Sequence, residues 1–334
     1  MRLQGSGTTT FGRLLMLVAA ATLLLAGCGH KASANPKVFR VRAGDNDAQD
    51  KNIAVEMFMP QAITVTVATQ VVFVVPGPEP HTVTFVPEGQ KVPAPNAPGA
   101  LDPKPPVGFY DGRSLISSGL QPTGSKPGVF RVMFSEVGTF NFVDVIHPAM
   151  TGTVTVVAKG QKADTPKTLA TRGKAELAKW LAEGRAAKKA LIAQAPKSTR
   201  NPDGTTTWTI SMGVSTQHTD VLAFHPTPAA IKPGDHVTFV NDTAVPHTAS
   251  FAGTKSLPTN PQSPEAMKPA PGKSPQNLNP TDFFNTGWLP PVTPGSTPPL
   301  AARSFTFIVQ QAGTYNYVCL LHQGSNMTGS IQAG

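Results

Sequence analysis

The run Cys319-Leu-Leu-His322-Gln-Gly-Ser-Asn-Met327 puts a thiol, an imidazole and a thioether on one short stretch of chain. Soft sulfur ligands beside imidazole select copper over hard cations, and two His with one Cys and a long axial Met make the electron-transfer arrangement. Such a set needs a second imidazole from elsewhere. Pro246-His247-Thr248, directly after the strand-like stretch 237–241, is placed to supply it. Only two cysteines are present, Cys28 and Cys319. If Cys28 is consumed as argued below, Cys319 has no intramolecular disulfide partner, and metal ligation is the leading use for it. His30, His218, His225 and His236 match no motif and read as structural or surface residues.

Ligands of this kind must be held by elements that are rigid before metal arrives, and the chain shows two copies of those elements. Gly138-Thr-Phe-Asn-Phe-Val-Asp-Val-Ile-His147 recurs as Gly313-Thr-Tyr-Asn-Tyr-Val-Cys-Leu-Leu-His322, each soon followed by Met-Thr-Gly at Met150 and Met327. Upstream, Pro80-His81-Thr-Val-Thr-Phe85 recurs as Pro246-His247-Thr-Ala-Ser-Phe251. Residues 63–67, 70–75, 231–240, 305–309 and 329–332 are β-branched or alternating runs of strand length, parted by Gly/Pro turns. The 30 Gly and 34 Pro fit sheets joined by long loops and argue against a helical domain. Each copy also carries a long Pro-rich excursion, at 87–128 and 257–301. The expected fold is therefore all-β, with two Greek-key sandwiches.

At these residues the second copy, 205–334, resembles a plastocyanin/azurin-type cupredoxin. It shares the Pro-Gly-Asp turn, the Pro-His strand end, Gly-Thr-Tyr-x-Tyr-x-Cys, and Met-x-Gly before the last strand. The resemblance implies one type 1 copper per chain, with His247 and His322 as imidazole ligands, Cys319 as thiolate and Met327 as axial thioether. It also implies that His322 lies near the surface and hands electrons to a redox partner. Plastocyanins carry a Tyr directly before the Cys as a second electron route; here Val318 stands there. The first copy, 37–158, resembles a cupredoxin too, with His81, His147 and Met150 in ligand positions but Asp144 in place of the cysteine. Its loop from Asp144 to Met150 is two residues shorter and resembles the compact Cys-x-x-His-Pro-x-Met loop of amicyanin. That set is expected to be a weak or vestigial metal site, or an empty scaffold.

The N-terminus reads as an export signal over 1–27: Arg2 and Arg13, an apolar stretch at 14–25, then Leu25-Ala-Gly-Cys28. The stretch is short of the roughly 20 apolar residues a spanning helix needs. Its ending resembles a bacterial lipobox, which would make Cys28 the acylated first residue, followed by a tether at 28–36. The protein is thus expected outside the cytoplasm, anchored to the bilayer. Of the formal charge of +9, Arg2 and Arg13 supply two and the middle segment 159–204 the other seven, with 11 basic and 4 acidic residues; the flanks 28–158 and 205–334 balance at 10 against 10 and 5 against 5. In that segment Leu177, Trp180, Leu181, Ala187 and Leu191 form an apolar stripe, predicting an amphipathic helix over about 171–195 that links the two sandwiches. Either it packs on a sandwich with a solvated basic face, or Lys174, Lys179, Arg185, Lys188 and Lys189 rest on anionic headgroups.

No nucleic-acid partner is indicated. The multicopper oxidases and nitrite reductases that such a chain could resemble need further copper on His-x-His pairs, and the chain contains none. The expected function is a membrane-tethered, non-enzymatic one-electron carrier serving an unidentified redox partner. The alternative is a copper-binding or delivery protein.

Overall fold

Strand Ile53–Met59, read Ile-Ala-Val-Glu-Met-Phe-Met, is buried along its whole length, as an inner strand covered on both faces must be. It lies in a six-stranded sheet, in the order Val214–Ser215, Thr219–Val221, Ile53–Met59, Phe39–Asn46, Gln70–Val75, Gly128–Met133. The computed structural model describes residues 38–121, 126–260, 263–268, 274–293 and 295–334. The signal segment, Cys28 and the tether lie outside the described residues. The described chain is mostly β, as expected, and forms one compact unit. No helix among the described residues is long and apolar enough to cross a membrane.

The six-stranded sheet packs on a five-stranded one ordered Ala62–Thr66, Thr151–Val157, Gly138–Val143, Thr84–Phe85, Ile116–Ser117. In the second half the corresponding sheet runs Ala229–Ile231, Thr328–Ala333, Gly313–Val318, Ser250–Phe251, Phe284–Asn285. It faces a sheet ordered Lys197–Arg200, Thr206–Ser211, His236–Val240, Ser304–Val309, Gln276–Leu278. The repeat thus gives one sheet of each half the same strand order, and it also gives the same core. Phe73 meets Phe85 and Phe142 edge-on at 5.7 and 5.0 Å. Phe239 meets Phe251 and Tyr317 likewise at 6.0 and 5.0 Å. Edge-to-face pairs add about 0.5–1.5 kcal/mol each beyond area burial. The Met-Thr-Gly motif has its reason here as well. A Cβ at Gly152 would lie 2.3 Å from the Phe142 ring, and one at Gly329 2.5 Å from Tyr317.

The two halves are joined through backbone. Phe58-Met-Pro60 and Phe224-His-Pro226 are equivalent positions of the repeat, and the strands leading into them pair with each other antiparallel. Val55 is opposite Thr219, Ala54 opposite Asp220 and Ile53 opposite Val221. Equivalent strands pairing crosswise is the geometry of a two-fold dimer interface, here within one chain.

The middle helix spans Pro166–Ile192, starting earlier than the periodicity predicts and ending slightly sooner. Thr165 caps it, its hydroxyl accepting from the Thr168 N–H, and Pro166 fits the first turn. The helix buries Leu169, Gly173, Trp180, Gly184 and Leu191, with Leu177 and Leu181 partly buried. Two glycines in that stripe let it sit close: a Cβ on Gly184 would meet Ile53 at 2.4 Å and one on Gly173 the Pro60 nitrogen at 3.0 Å. Trp180 packs on Val55, Met57 and Met59 and stacks on His218 at 5.3 Å. Of the five basic residues singled out, Arg185 pairs with Asp47 and Lys188 with Asp50, both at 2.6 Å, while Lys174, Lys179 and Lys189 are exposed. The packed reading of this helix therefore has direct contacts behind it. The segment after it is not linker throughout, because Lys197–Arg200 adds an edge strand to the second half.

Candidate metal centre

In the second half, strand Ser250–Phe251 and strand Gly313–Val318 pair antiparallel, so the residues just before the first and just after the second are brought together. His247 and Cys319 occupy those positions, and the turn Gln323–Ser325 folds the chain back so that His322 returns beside them. Cys319 Sγ lies 3.7 Å from His247 Nδ1 and 3.3 Å from His322 Nδ1. All three are buried and can offer one ligand atom each within 4.8 Å of one another. The loop is tied at both ends. The Cys319 N–H donates to the Met327 carbonyl at 2.9 Å, and the Met327 N–H donates to the His322 carbonyl at 3.3 Å. Met327 is fully buried in the same core cluster as Cys319. Thr248 reinforces the site twice: its N–H donates to Cys319 Sγ at 3.3 Å and its hydroxyl accepts from the Leu320 N–H at 2.8 Å. The structure thus brings together His247, Cys319, His322 and the Met327 backbone.

The electrostatics of this pocket are those of a neutral, dry site. Burial pushes the Cys319 thiol up to about 11, against the opposing pull of the Thr248 N–H. Burial likewise holds His247 well below its ordinary value, with His322 adding to the effect. His322 is lowered to about 3, first by burial and then by the charge of His147. His247 Nε2 is buried without a hydrogen-bond partner. A thiol and two neutral imidazoles converging in apolar surroundings fit a copper ion, the soft cation this donor set selects.

One expectation is corrected. His322 is not near the surface; it is 7% exposed, because the first half covers it. Its Nε2 lies 3.6 Å from Glu79 Oε2. Ser325 donates a hydrogen bond to Glu79 Oε1 and accepts one at 3.1 Å from Asn46 Nδ2. Asn52 Nδ2 donates to the carbonyls of Leu222 and Ser325 at 2.8 and 2.9 Å. The loop of the second copy is two residues longer, and Ser325 in its added turn makes the contact.

The first half repeats the arrangement with oxygen for sulfur. Asp144 Oδ2 lies 2.8 Å from both His81 Nδ1 and His147 Nδ1. Its Oδ1 accepts from the Thr82 N–H, the Thr82 hydroxyl and the Ile146 N–H at 3.0, 2.9 and 3.1 Å. Met150 is fully buried, and its carbonyl accepts from the Asp144 N–H at 2.9 Å. Burial opposes ionisation of Asp144, but His147 and His81 outweigh it and hold the carboxyl far below its usual range. His147 is raised to about 10, because the Glu56 and Asp144 charges outweigh its burial.

The sequence reading missed Glu56, Glu79 and Asp220. Glu56 Oε2 reaches within 3.5 Å of His81 Nε2 and 3.7 Å of His147 Nδ1. Burial, with the Glu56 charge behind it, pushes Glu79 up to about 8 and raises Asp220. A signal was available, since Glu56 is the one charged residue in an apolar strand and stands where the second copy has Leu222. The remaining histidines within the described residues are structural: His218 bonds Glu183 at 2.9 Å, His225 Nε2 bonds the Gln194 carbonyl at 2.8 Å, and His236 lies in a strand.

No family model matches the chain. Among curated proteins it is similar to a plastocyanin of Scenedesmus fuscus, with 30% identity over 110 residues covering 33% of this chain and 85% of that protein. It is also similar to a chloroplastic plastocyanin of Tetradesmus obliquus, 31% identical over 110 residues, 33% of this chain and 57% of that one. Among solved structures, a reduced amicyanin variant covers 38% of this chain and 88% of its own at 17% identity and a TM-score of 0.24. The purple cupredoxin of Nitrosopumilus maritimus covers 36% and 99% at 17% identity and a TM-score of 0.23. With a plastocyanin aligned over most of its length and a buried His-Cys-His convergence in a β-sandwich, the chain belongs to the cupredoxin (blue copper) family.

Proposed function

We propose that this cupredoxin carries single electrons through one type 1 copper held by His247, Cys319, His322 and Met327 in its second half. The observation behind this reading is the convergence of Cys319 Sγ on two imidazole Nδ1 atoms inside the core. Copper bound there supplies a one-electron couple. The residues supply the rest. Cys319 gives up its proton to become the thiolate, and the imidazoles, already neutral, give up none. The Thr248 N–H steadies the sulfur, and the two backbone ties hold the loop so that geometry need not change with charge. Rigid preorganisation of this kind is what a carrier requires.

Cys28 as lipid anchor would keep the protein outside the cytoplasm at a bilayer, near a membrane-bound redox partner. Burial of His322 under Glu79 means that a partner reaches that imidazole edge by way of the first half. The test is a visible spectrum and redox titration of the copper-loaded protein and its Cys319→Ser variant. An intense visible band, reversible one-electron titration and loss of both in the variant are expected. A band that survives Cys319→Ser refutes the ligand assignment, and an irreversible couple with an intact band favours copper delivery over electron transfer.

A further inference from the structure

The first half holds an arrangement that a mere support for the second would not need. Glu56 is 9% exposed within a strand otherwise made of apolar residues, and its Oε2 is buried with no hydrogen-bond partner. Burying a carboxylate costs several kcal/mol unless a cation or donor meets it. The groups it faces are His81 and His147, at 3.5 and 3.7 Å. One ligand atom from each of Glu56, His81 and His147 lies within 4.8 Å of the others. Asp144 adds Oδ2 at 2.8 Å from both imidazoles, while its Oδ1 is locked by three donors. Carboxylates that orient ligand imidazoles in this way are typical of metal sites.

Backbone has also been cleared for this cluster. Gly44, at φ +66°, lies so close to His81 that a Cβ there would sit 1.9 Å from Nε2. Glu79 and Asp220 bring two further carboxyls into electrostatic reach of Glu56. The equivalent positions of the second half hold no such charge: Leu222 stands for Glu56 and Val245 for Glu79. Glu56 and Glu79 are therefore a feature of the first half alone, and Asp220 reaches Glu56 from the second half, so that acidic groups concentrate where the two histidines of the first half meet.

We propose that Glu56, His81 and His147 form a second metal site, with Asp144 orienting the imidazoles, a carboxylate–imidazole centre for a divalent borderline ion, Cu(II) or Zn(II), facing the thiolate site across the interface between the halves. Two imidazoles with a carboxylate and no sulfur suit these ions and disfavour Cu(I). The site departs from the set read from the sequence by including Glu56, which comes from a strand that supplies nothing to the thiolate site. It does not depend on the reading of Cys319.

The test is metal stoichiometry on the full chain, by dialysis against Cu(II) and separately Zn(II), with electron paramagnetic resonance of the copper form. Two Cu(II) per chain are expected, the second giving a signal without an intense visible band, and Zn(II) offered alone should fill that second site too. Glu56→Leu, which installs the second half's residue, should lose one equivalent or weaken it at least about 10-fold while keeping the visible band. Glu56→Gln, close to isosteric, repeats the measurement should the Leu variant fold poorly. Cys319→Ser should lose the band and keep the second ion. One metal per chain with both ions, or unchanged stoichiometry and signal in Glu56→Leu and Glu56→Gln, overturns the proposal.

Discussion

Copper uptake at Cys319 should release one proton, over a wide range of pH. In the metal-free protein the thiol titrates near 11 because it is buried, and His322 near 3 for the same reason, with His247 also far below its ordinary value. Between about pH 4 and pH 10 the site therefore holds one displaceable proton, on sulfur. Metal ligands must be deprotonated, so binding and proton release are linked. Apparent affinity should fall tenfold per pH unit, about 1000-fold from pH 8 to pH 5, or about 4 kcal/mol. Cu(I) is the suitable probe, because thiolate selects it over the carboxylates of the first half. The assay is competition with a chromophoric Cu(I) chelator across that range, with proton release measured in parallel. A slope of two or three would mean that the imidazoles are protonated in the metal-free protein, and the account of a dry, neutral pocket would fail. A slope of zero would mean that the thiol is not displaced at all.

The same burial sets the acid limit of the metal-free protein. An unfolded imidazole titrates near 6.5 and folded His322 near 3, so the unfolded state binds more protons between those values. The His322 contribution should be fully present above about pH 6.5 and be lost as pH falls toward 3, seen as a difference in the pH dependence of the thermal midpoint between the metal-free protein and its His322→Gln variant. Asp144→Cys in a Cys319→Ser background should create a visible band in the first half, because the Thr82 N–H, like the Thr248 N–H, already points at that position; a colourless, copper-free double variant would show that more than sulfur is missing. Trp180→Ala should cost about 3–5 kcal/mol and melt both halves together, since the six-stranded sheet under the helix contains strands from each; two separate transitions in calorimetry would contradict this. Cys28→Ala should release the protein from membranes on fractionation, an acyl chain contributing about 0.8 kcal/mol per buried CH₂; a variant still in the membrane would point to the basic helix or a partner.

The duplicated motifs were enough to foresee the β-sandwich fold and to single out His247, Cys319 and His322 as residues that converge, because residue type and loop spacing are local properties of the chain. The helix was legible for the same reason, its stripe being periodic, although Gly173 and Gly184 were invisible as packing residues: only the neighbouring strand shows why a side chain cannot stand there. What covers His322 was not legible. That depends on strand Thr219–Val221 leaving its own half to pair with Ile53–Met59, a long-range register that no short motif encodes. The same pairing carries Asp220 toward Glu56 and seats Ser325 on Glu79. Residue types and spacing along the chain thus pointed to both sets of candidate ligands; the approach of Glu56 to His81 and His147, and the burial of the His322 imidazole edge, arise from contacts between residues far apart in sequence, which only the packed structure decides.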